Sequence, residues 1–224
     1  MKISILMLSY NAPYYVFKSI KDVHKSKKAS QNLELIVLDN ASKFPTRFIL
    51  KILKKLGFID KLVLNPQNDF FARGNNLASQ YASEDTTHYL LLNSDIKITD
   101  INCFNRLSSL HPKEGGISSF GAVLSEPKRA DGYCMLIDKD IYDKFGLDED
   151  FEWWWSVTKL QSQVLKDGFK IIAVRNHEEY IHHYGGKSGK GFEDAKGMNT
   201  DIETVKGWFK DKNESVQIIS QLDG

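Results

Sequence analysis

Short apolar runs, separated by longer amphipathic stretches, predict an alternation of strands and helices through roughly the first hundred residues. The runs at 3–8, 33–38, 61–64 and 89–92 have the length and composition of buried strands. Helices are predicted between them, the first opened by Pro13 near its first position. The first two strands lie about thirty residues apart, which is the spacing of a right-handed βαβ unit. The pattern therefore predicts a parallel sheet in the doubly wound style.

Past the fourth strand the pattern is less regular. The predicted elements are helices at 103–110 and 155–166 and strands at 132–137, 169–174 and 180–183. The segment from Thr200 to Glu203 has the form of a capping box and predicts a last helix that begins there. In the helix predicted at 46–56, an apolar face is marked by Phe48, Ile49, Ile52, Leu53 and Leu56.

The length and composition favour one domain. The chain has 224 residues, of which 42% are hydrophobic, and this is enough for one full core. It contains no repeat, no low-complexity segment and no linker. We therefore predict a single α/β domain with a first half over 1–98, a second half over 99–190 and a C-terminal helical tail over 191–224.

The charge balance and the number of cysteines narrow the class of protein further. The 30 Lys and Arg nearly balance the 29 Asp and Glu, so the net charge of +1 argues against wholesale binding to nucleic acid or anionic membrane. Cys103 and Cys134 are too few for a disulfide framework, which favours a reducing cytosol. The apolar run at the start is too short for a signal peptide, and no run approaches the ~20 residues of a spanning helix. We expect a soluble, cytoplasmic protein without a transmembrane segment.

Polar side chains follow several of the predicted strands at the point where each strand ends. They are Ser9, Asn11, Asp39, Asn40, Arg73, Gly74, Asn75, Asn93 and Asp95. Because the carboxyl ends of parallel strands share one edge, where α/β sheets bind ligands, these residues are expected to converge. Asp39 can accept a hydrogen bond from a base or ribose, and Arg73 at a helix start can meet phosphate. For each residue alone, a turn or cap role is the competing interpretation.

Several nucleotide and hydrolase chemistries are excluded by missing motifs. No G-x-G-x-x-G follows the first strand, which argues against a dehydrogenase-type dinucleotide site. Gly186-Lys187-Ser188 resembles the end of a P-loop, but the glycine required five residues earlier is Ile181. The chain also lacks the G-x-S-x-G elbow of a serine hydrolase.

Six short segments occur in a specific order between about residues 2 and 188. They are SILMLSYNA, LIVLDNAS, NDFFARGNNLA, LLLNSDI, ADGYCMLI and HHYGGKS. In this order they resemble the inverting glycosyltransferases of family 2, and most closely the rhamnosyltransferase-like branch. The resemblance implies a GT-A fold, which is a Rossmann-like, mostly parallel sheet flanked by helices. It also implies that 1–98 binds the nucleotide sugar and that 99–190 carries acceptor binding and catalysis.

The activity implied by the resemblance is metal-dependent transfer of a hexosyl or deoxyhexosyl group, as in polysaccharide biosynthesis. The donor would be a UDP- or dTDP-linked sugar, and the acceptor a hydroxyl of a glycan. In the family the acid matching Asp39 contacts the base, and the segment matching 73–76 lines the donor pocket. The D-x-D element matches Asn93-Ser94-Asp95, whose last acid coordinates a divalent metal on the diphosphate.

The resemblance also implies a second metal ligand. The H-x-G-G-x-S segment matches 183–188 and assigns this role to His183. A shell of oxygen and imidazole ligands suits Mn²⁺ as well as Mg²⁺. The competing interpretation is that His182 and His183 are simply surface or strand histidines.

The remaining candidates for donor binding are selected by their position at strand ends. They are Ser9, Asn11, Arg73, Asn75 and Asn93. Asp131 precedes a strand, and the resemblance brings it near the donor sugar. Lys187 and Lys190 lie in a Gly-rich loop that can close over the diphosphate, or they are solvated loop cations.

On the acceptor side the sequence departs from its family. Counting back from Gly168, the acidic pair that carries the family's catalytic base falls on Ser156-Val157. Inverting transfer needs a carboxylate to take the acceptor proton, so we predict that Glu152, and next Asp150, takes this role. Trp153 and Trp154 are candidates to stack on an acceptor ring.

Two alternatives to a glycan-directed transferase stay open at this point. Since Ser156-Val157 replaces the acidic pair, the chain can be a sugar-nucleotide-binding protein that has lost catalysis. A transferase acting on a modified base in nucleic acid is also compatible with Trp153 and Trp154 and with the nearby lysines, although the near-zero net charge argues against it.

Overall fold

The computed structural model describes residues 1–30, 32–187 and 195–222. The strands are β1 (Ile3–Ser9), β2 (Leu33–Asn40), β3 (Lys61–Asn65), β4 (His88–Leu92), β5 (Ile96–Ile98), β6 (Gly116–Phe120), β7 (Ala122–Val123), β8 (Arg129–Ala130), β9 (Cys134–Asp138), β10 (Lys170–Val174), β11 (Ile181–His183) and β12 (Val216–Ile219). The helices are α1 (Pro13–Ala29), α2 (Thr46–Lys55), α3 (Ala72–Ser79), α4 (Cys103–Leu110), α5 (Lys139–Phe145), α6 (Trp154–Lys166) and α7 (Ile202–Trp208). The predicted alternation over the first half is therefore confirmed.

Eight of these strands form one sheet in the order β12-β10-β6-β9-β4-β1-β2-β3. Neighbouring strands are parallel except that β9 runs antiparallel to both β4 and β6. The sheet is mostly parallel, as predicted. Because β9 runs the opposite way, the residues that precede it lie at the edge where β4 ends. Asn93, just after β4, donates its backbone N–H to the Tyr133 carbonyl, just before β9, at 2.8 Å.

The unbroken apolar runs of the central strands arise because the sheet is covered on both faces. In β1, Ile5 and Met7 belong to one core cluster, whereas Leu6 belongs to the cluster on the other face. In β4, Leu90 and Leu91 divide in the same way. Each such side chain, when fully buried, contributes about 1.5–3 kcal/mol. Alternation of apolar and polar residues is therefore absent from these strands.

The predicted apolar face of α2 is wrong in part. Of the predicted face, Leu53 is in the core together with Leu50, and Ile49 packs against it. Phe48, Ile52 and Leu56 are exposed. The segment is apolar on two sides, so its periodicity does not say which side meets the sheet. Among the described residues, no helix combines the length and apolar character needed to cross a membrane.

The predicted helical tail contains a strand as well as a helix. Helix α7 is capped by Asp201, whose carboxylate accepts the backbone N–H groups of Glu203 and Thr204 at 2.8 and 3.2 Å. The cap is therefore one residue later than Thr200, which the sequence pattern favoured. Strand β12 then pairs in parallel with β10 and forms one edge of the main sheet. Its four residues, Val216–Ile219, were too short a run to be distinguished from loop.

Candidate active site

A small second sheet brings together two side chains that are far apart in the sequence. Asp95 lies between β4 and β5, and β5 pairs antiparallel with β11 so that Ile96 is opposite His183. This pairing places His183 Nε2 at 3.1 Å from Asp95 Oδ1. The Tyr184 backbone N–H also donates to the Asp95 carbonyl at 3.0 Å. The carboxylate and the imidazole that the family resemblance singles out therefore meet at the carboxyl edge of the main sheet.

Asp95 is held in its charged form although it is 3% exposed. Burial disfavours the charge, but hydrogen bonds from His183 and from the Lys187 backbone N–H outweigh burial, so the pKa of Asp95 lies below its ordinary value. The Lys187 N–H lies 3.2 Å from Asp95 Oδ2. An ionised carboxylate is the form that binds a divalent cation.

The donor pair fits a divalent metal ion. Two adjacent ligands of an octahedral ion, each about 2.1 Å from it, lie about 3.0 Å apart. The 3.1 Å between Asp95 Oδ1 and His183 Nε2 is close to that separation. Carboxylate oxygen and imidazole nitrogen are also donor types that Mn²⁺ accepts. Two protein ligands leave the other positions to phosphate oxygens and water.

The imidazole of His183 has a fixed orientation. Its ring stacks on Tyr133 with centroids 4.5 Å apart and an angle of 8° between the planes. Asn93 Nδ2 lies 3.1 Å from His183 Nε2. Burial raises the pKa of Tyr133 well above its ordinary range, so the hydroxyl stays protonated. That buried hydroxyl has no hydrogen-bond partner among the described residues.

A cavity of about 600 Å³ opens beside this pair. Its aromatic lining includes Tyr10, Phe71, Tyr133, Trp153, Trp154 and Trp155. Its polar lining includes Asn93, Asp95, Arg129, Asp131 and His183. Trp155 Nε1 is buried and has no partner in the described part of the chain, so a hydrogen-bond donor is available at the wall. The volume and the mixed lining are those of a small-molecule site.

Two polar atoms at the ends of β1 and β2 are buried without partners in the described ranges. Ser9 is opposite Asp39 in the strand register, and both side chains are fully buried. Asp39 Oδ2 accepts from Arg47 Nε at 2.8 Å and from the Ser42 N–H at 3.3 Å. Asp39 Oδ1 and Ser9 Oγ are the unpartnered atoms. An unsatisfied buried group costs about 1–3 kcal/mol, which a bound ligand can recover.

Besides Ser9, Asp39 and Lys187, three further donor-side candidates lie outside the cavity lining. Arg73 is largely exposed, with Nε 3.6 Å from Asp69 Oδ1. Asn75 is buried, and its amide donates to the Phe71 carbonyl at 2.9 Å. Asn11 joins two loops through the Ser42 hydroxyl, at 2.7 Å from its backbone nitrogen. These three residues lie near the carboxyl edge of the sheet but do not line the cavity.

The Gly-rich loop is described only in part. Lys187 contributes its backbone N–H to Asp95, and its side chain is exposed. Ser188 and Lys190, which the sequence pattern also assigned to this loop, lie outside the described residues.

The acids that were predicted to act as the base do not line the cavity. Glu152 Oε2 accepts the Lys196 backbone N–H at 2.6 Å, and Asp150 forms an ion pair with the Lys196 side chain. The Glu152 carbonyl accepts the N–H groups of Phe71 and Ala72, which fixes this turn against the start of α3. Its carboxylate is directed to Lys196.

The position of the missing acidic pair is now visible. Ser156 is buried, and its hydroxyl donates to the Trp153 carbonyl at 2.6 Å. Val157 lines the cavity. Among the described residues that line the cavity, the carboxylates are those of Asp95 and Asp131.

Several lining residues were not singled out by the sequence reasoning. Tyr10 directly follows β1, and the strand-end rule that selected Ser9 and Asn11 could have selected it too. Tyr133 lines the cavity because it precedes the antiparallel strand β9, and Arg129 lines it from β8. No local sequence pattern predicts either placement.

A mostly parallel sheet, a carboxylate–imidazole pair at its carboxyl edge and an adjoining cavity are the features expected of the GT-A class. Residues 4–110 match the family model described as Glycosyl transferase family 2. No curated protein matches the chain.

Solved structures agree with this class. The mannosyltransferase PcManGT from Pyrobaculum calidifontis, in complex with GDP-Man and Mn²⁺, has a TM-score of 0.66 and 15% identity, over 78% of this chain and 55% of that chain. TarS 1-349 of S. aureus has a TM-score of 0.58 and 13% identity, and the match covers 73% of this chain and 55% of that chain. The complex of TarS 1-349 with UDP-GlcNAc has a TM-score of 0.53 and 14% identity, and the match covers 66% of this chain and 49% of that chain.

At these identities the likeness concerns the fold, which is GT-A. The chain spans about half the length of these proteins. The family 2 match covers 4–110, which is just under half of the chain, and the solved structures share its fold.

Proposed function

We propose that the protein transfers a hexosyl or deoxyhexosyl group, with inversion, from a UDP- or dTDP-linked donor to a hydroxyl of a glycan. Asp95 and His183 would hold Mn²⁺ or Mg²⁺, which would supply positive charge at the donor diphosphate. The observation that carries the proposal is the contact of Asp95 with His183 at the mouth of the aromatic cavity. The family model supports glycosyl transfer as the reaction class.

The nucleotide base is assigned to the ends of β1 and β2. The unpartnered Asp39 Oδ1 can accept the imide N–H of uracil or thymine, and Ser9 Oγ lies on the neighbouring strand. Arg47 Nε donates to the other carboxylate oxygen and fixes its position. The sugar and diphosphate would then extend along the edge towards Asp95.

At the diphosphate, this chain supplies a preorganised pair of ligands. A bound divalent ion would offset the charge that develops on the leaving diphosphate. Asp95 needs no deprotonation, since its pKa is already lowered. His183 needs no reorientation because Tyr133 holds its ring.

The proton acceptor is assigned to Asp131, in preference to Glu152 and Asp150. In the transfer, the acceptor hydroxyl oxygen forms a bond to the anomeric carbon as the bond from that carbon to the diphosphate oxygen breaks. The hydroxyl proton passes to the carboxylate on the opposite side of the sugar from the diphosphate. Asp131 lines the cavity, whereas Glu152 and Asp150 engage Lys196.

The acceptor is assigned to the aromatic wall. Trp153 and Trp154 can stack on the apolar faces of sugar rings, and Trp154 is half exposed. A glycan can therefore approach from solvent and place one hydroxyl near Asp131.

A second candidate function follows from Val157. An apolar residue lines the cavity where the family carries an acid, which favours a sugar-nucleotide-binding protein without transfer. Release of nucleoside diphosphate from UDP-, dTDP- and GDP-sugars, measured with Mn²⁺ and with a panel of oligosaccharides, separates the two. Turnover with UDP- or dTDP-sugar supports the transferase. Tight, metal-dependent nucleotide binding without any turnover supports the binding protein.

A further inference from the structure

A second cluster of metal-type ligands lies at the opposite end of β4 from Asp95, about 20 Å away along the strand. His88 begins β4 and is opposite Asp138, the last residue of β9. His88 Nε2 lies 3.3 Å from Asp138 Oδ1. His111, just after α4, places Nε2 at 2.8 Å from Asp138 Oδ2. Ligand atoms from all three lie within 4.8 Å of one another.

The hydrogen bonds of His88 are compatible with the tautomer that binds a metal through Nε2. Its Nδ1 lies 2.8 Å from the Thr87 hydroxyl. That hydroxyl lies 3.1 Å from the Lys2 carbonyl oxygen and accepts the Lys2 N–H at 2.9 Å. When the hydroxyl proton is directed to the carbonyl, His88 Nδ1 is the donor to Thr87, and Nε2 of the neutral ring presents a lone pair to Asp138.

His111 is constrained in the same way. Its Nδ1 lies 3.0 Å from the Ser118 hydroxyl, which donates its proton to the Leu107 carbonyl at 3.3 Å. With that proton directed to the carbonyl, His111 Nδ1 donates to Ser118 and its Nε2 lone pair faces Asp138 Oδ2. The same oxygen accepts the Gly116 N–H at 2.7 Å.

In these tautomers two imidazole lone pairs face the two oxygens of one carboxylate, and one metal ion would supply the positive charge between them. In the other tautomers each Nε2 carries a proton and donates it to Asp138. Two histidines and a carboxylate, with water in the fourth position, form a known ligand set for Zn²⁺. Hydrogen bonds from the distal ring nitrogens are also typical of metal-bound histidines.

We propose that His88, His111 and Asp138 bind one Zn²⁺ ion, separate from the donor-site metal. The His111 side chain is buried, whereas that of Asp138 is 25% exposed, which leaves one side open for water and for entry of the ion. The ion would join β4, β9 and the connection from α4 to β6. It lies too far from Asp95 to act on the donor, so its role would be structural.

Metal titration tests this proposal directly. Chelator-treated protein carrying Asp95→Ala, which removes the donor-site carboxylate, would be titrated with Zn²⁺ and with Co²⁺ as a visible probe. We expect one equivalent to bind with the absorption of a tetrahedral site, and the melting temperature to rise. His88→Gln should weaken binding by roughly 100-fold, and Ser118→Ala by roughly tenfold through loss of the outer hydrogen bond.

The controls separate a lost ligand from a lost fold. His24→Gln removes a histidine elsewhere and should leave affinity unchanged. If His111→Gln misfolds, His88→Gln still tests metal binding. The His88 side chain is at a strand end and partly exposed, so this variant is expected to fold. Absence of saturable binding, or equal affinity in the parent and in His88→Gln, would show that protons fill the cluster and would overturn the proposal.

An independent inference concerns the exposed side of α2. Four apolar residues recur at intervals of four from just before α2 to its C-cap and are here called the α2 stripe. They are Phe44, Phe48, Ile52 and Leu56, with 79%, 54%, 40% and 64% of their surface exposed. Within α2 this spacing keeps Phe48 and Ile52 on one side, and Leu56 follows them at the C-cap. Phe44 precedes the helix, and its ring centroid lies 5.8 Å from that of Phe48. The opposite side of α2 is packed in the core, so the stripe faces solvent.

Basic residues accompany the α2 stripe. The exposed lysines are Lys43, Lys51, Lys54 and Lys55, and α2 contains no acidic residue. An apolar stripe flanked by lysines is the pattern of helices that lie in the interface of anionic membranes. We infer that the α2 stripe docks on an anionic lipid surface. The charge is local, which is compatible with the net charge of +1.

Vesicle sedimentation tests the inference. We expect binding to phosphatidylcholine vesicles that contain phosphatidylglycerol, little binding to phosphatidylcholine alone, and weakening by salt. The double variant Phe44→Ser/Phe48→Ser should bind at least roughly tenfold more weakly. Ile101→Ser/Leu124→Ser removes two exposed apolar residues elsewhere and should bind like wild type.

Two outcomes would overturn it. One is equal binding of wild type and Phe44→Ser/Phe48→Ser to anionic vesicles. The other is a wild-type dimer in light scattering that this double variant dissociates, which would assign the α2 stripe to a second copy of the chain.

Discussion

Asp131 carries the most specific assignment at the scale of single residues. It lines the cavity at the edge where β4 ends and β9 begins, and it shares that lining with Asp95. Asp95 is engaged with His183 and the Lys187 backbone, so it is not free to take a proton. The proposed transfer step therefore requires Asp131, or an acid that moves into the cavity.

Replacing Asp131 distinguishes these possibilities. Asp131→Asn keeps the size and polarity of the side chain but removes its basicity, so donor binding should persist while turnover falls by roughly 10²-fold or more. Initial rates and nucleotide affinity would be measured on the same preparation. Glu152→Gln and Asp150→Asn are the matched controls and should retain most of the activity. If Glu152→Gln loses turnover and Asp131→Asn does not, the base is Glu152 and the turn that carries it must move.

At the scale of elements, β2 contains a buried carboxylate that connects it to the chain before β4. Glu34 accepts hydrogen bonds from the Ser4 hydroxyl and from the Ser83 N–H, the latter at 2.7 Å, and lies 3.4 Å from Lys61 Nζ. Burial opposes its charge, but the hydrogen bonds and Lys61 outweigh burial and lower the pKa of Glu34 to about 2.

This pKa predicts a pH-dependent contribution to stability. Because the folded pKa lies below the ordinary value of 4.5, the contribution is fully present above that pH and is lost as the pH falls towards 2. Its size is about 3 kcal/mol. Glu34→Gln should be less stable at neutral pH, and its difference from wild type should shrink between pH 4.5 and 2. Urea unfolding over this range measures it, and parallel curves for the two proteins would contradict the assignment.

The pairing of β6 with β10 depends on one glycine. At Gly116, with φ +148°, an added Cβ would lie 1.9 Å from the Lys170 carbonyl oxygen. Gly116→Ala should therefore force the strands apart and lower the free energy of unfolding by roughly 3 kcal/mol or more. Gly57, with φ +76° and nothing within 4 Å of an added Cβ, is the control. Gly57→Ala should cost only roughly 1–2 kcal/mol of backbone strain, and equal losses for both variants would show that β6 can shift.

At the scale of the whole molecule, the first half was predictable because its strands are buried on both faces. Residues such as Leu90 and Leu91 alternate between two cores and leave an unbroken apolar run that local reasoning detects. The end of that run located Asp95. The antiparallel direction of β9 was not predictable, because direction depends on pairing with β4 and β6 and not on its own sequence.

The rest of the candidate site depends on contacts between distant segments. His183 reaches Asp95 through the β5–β11 pairing, and only the family resemblance indicated it. Glu152 is held by Lys196, a residue 44 positions later, and no local pattern predicts such a contact. The side of α2 that meets the sheet was equally undetermined, because apolar residues occupy both sides of that helix.

The central claim is that Asp95 and His183 couple nucleotide binding to a divalent metal. Calorimetry of UDP, dTDP and GDP, with and without Mn²⁺, on wild type and Asp95→Ala tests it most directly. We expect UDP or dTDP to bind wild type at least roughly tenfold more tightly with Mn²⁺, and Asp95→Ala to bind at the metal-free level, with a milder loss in His183→Ala. Equal affinity of wild type and Asp95→Ala at saturating Mn²⁺ would contradict the account.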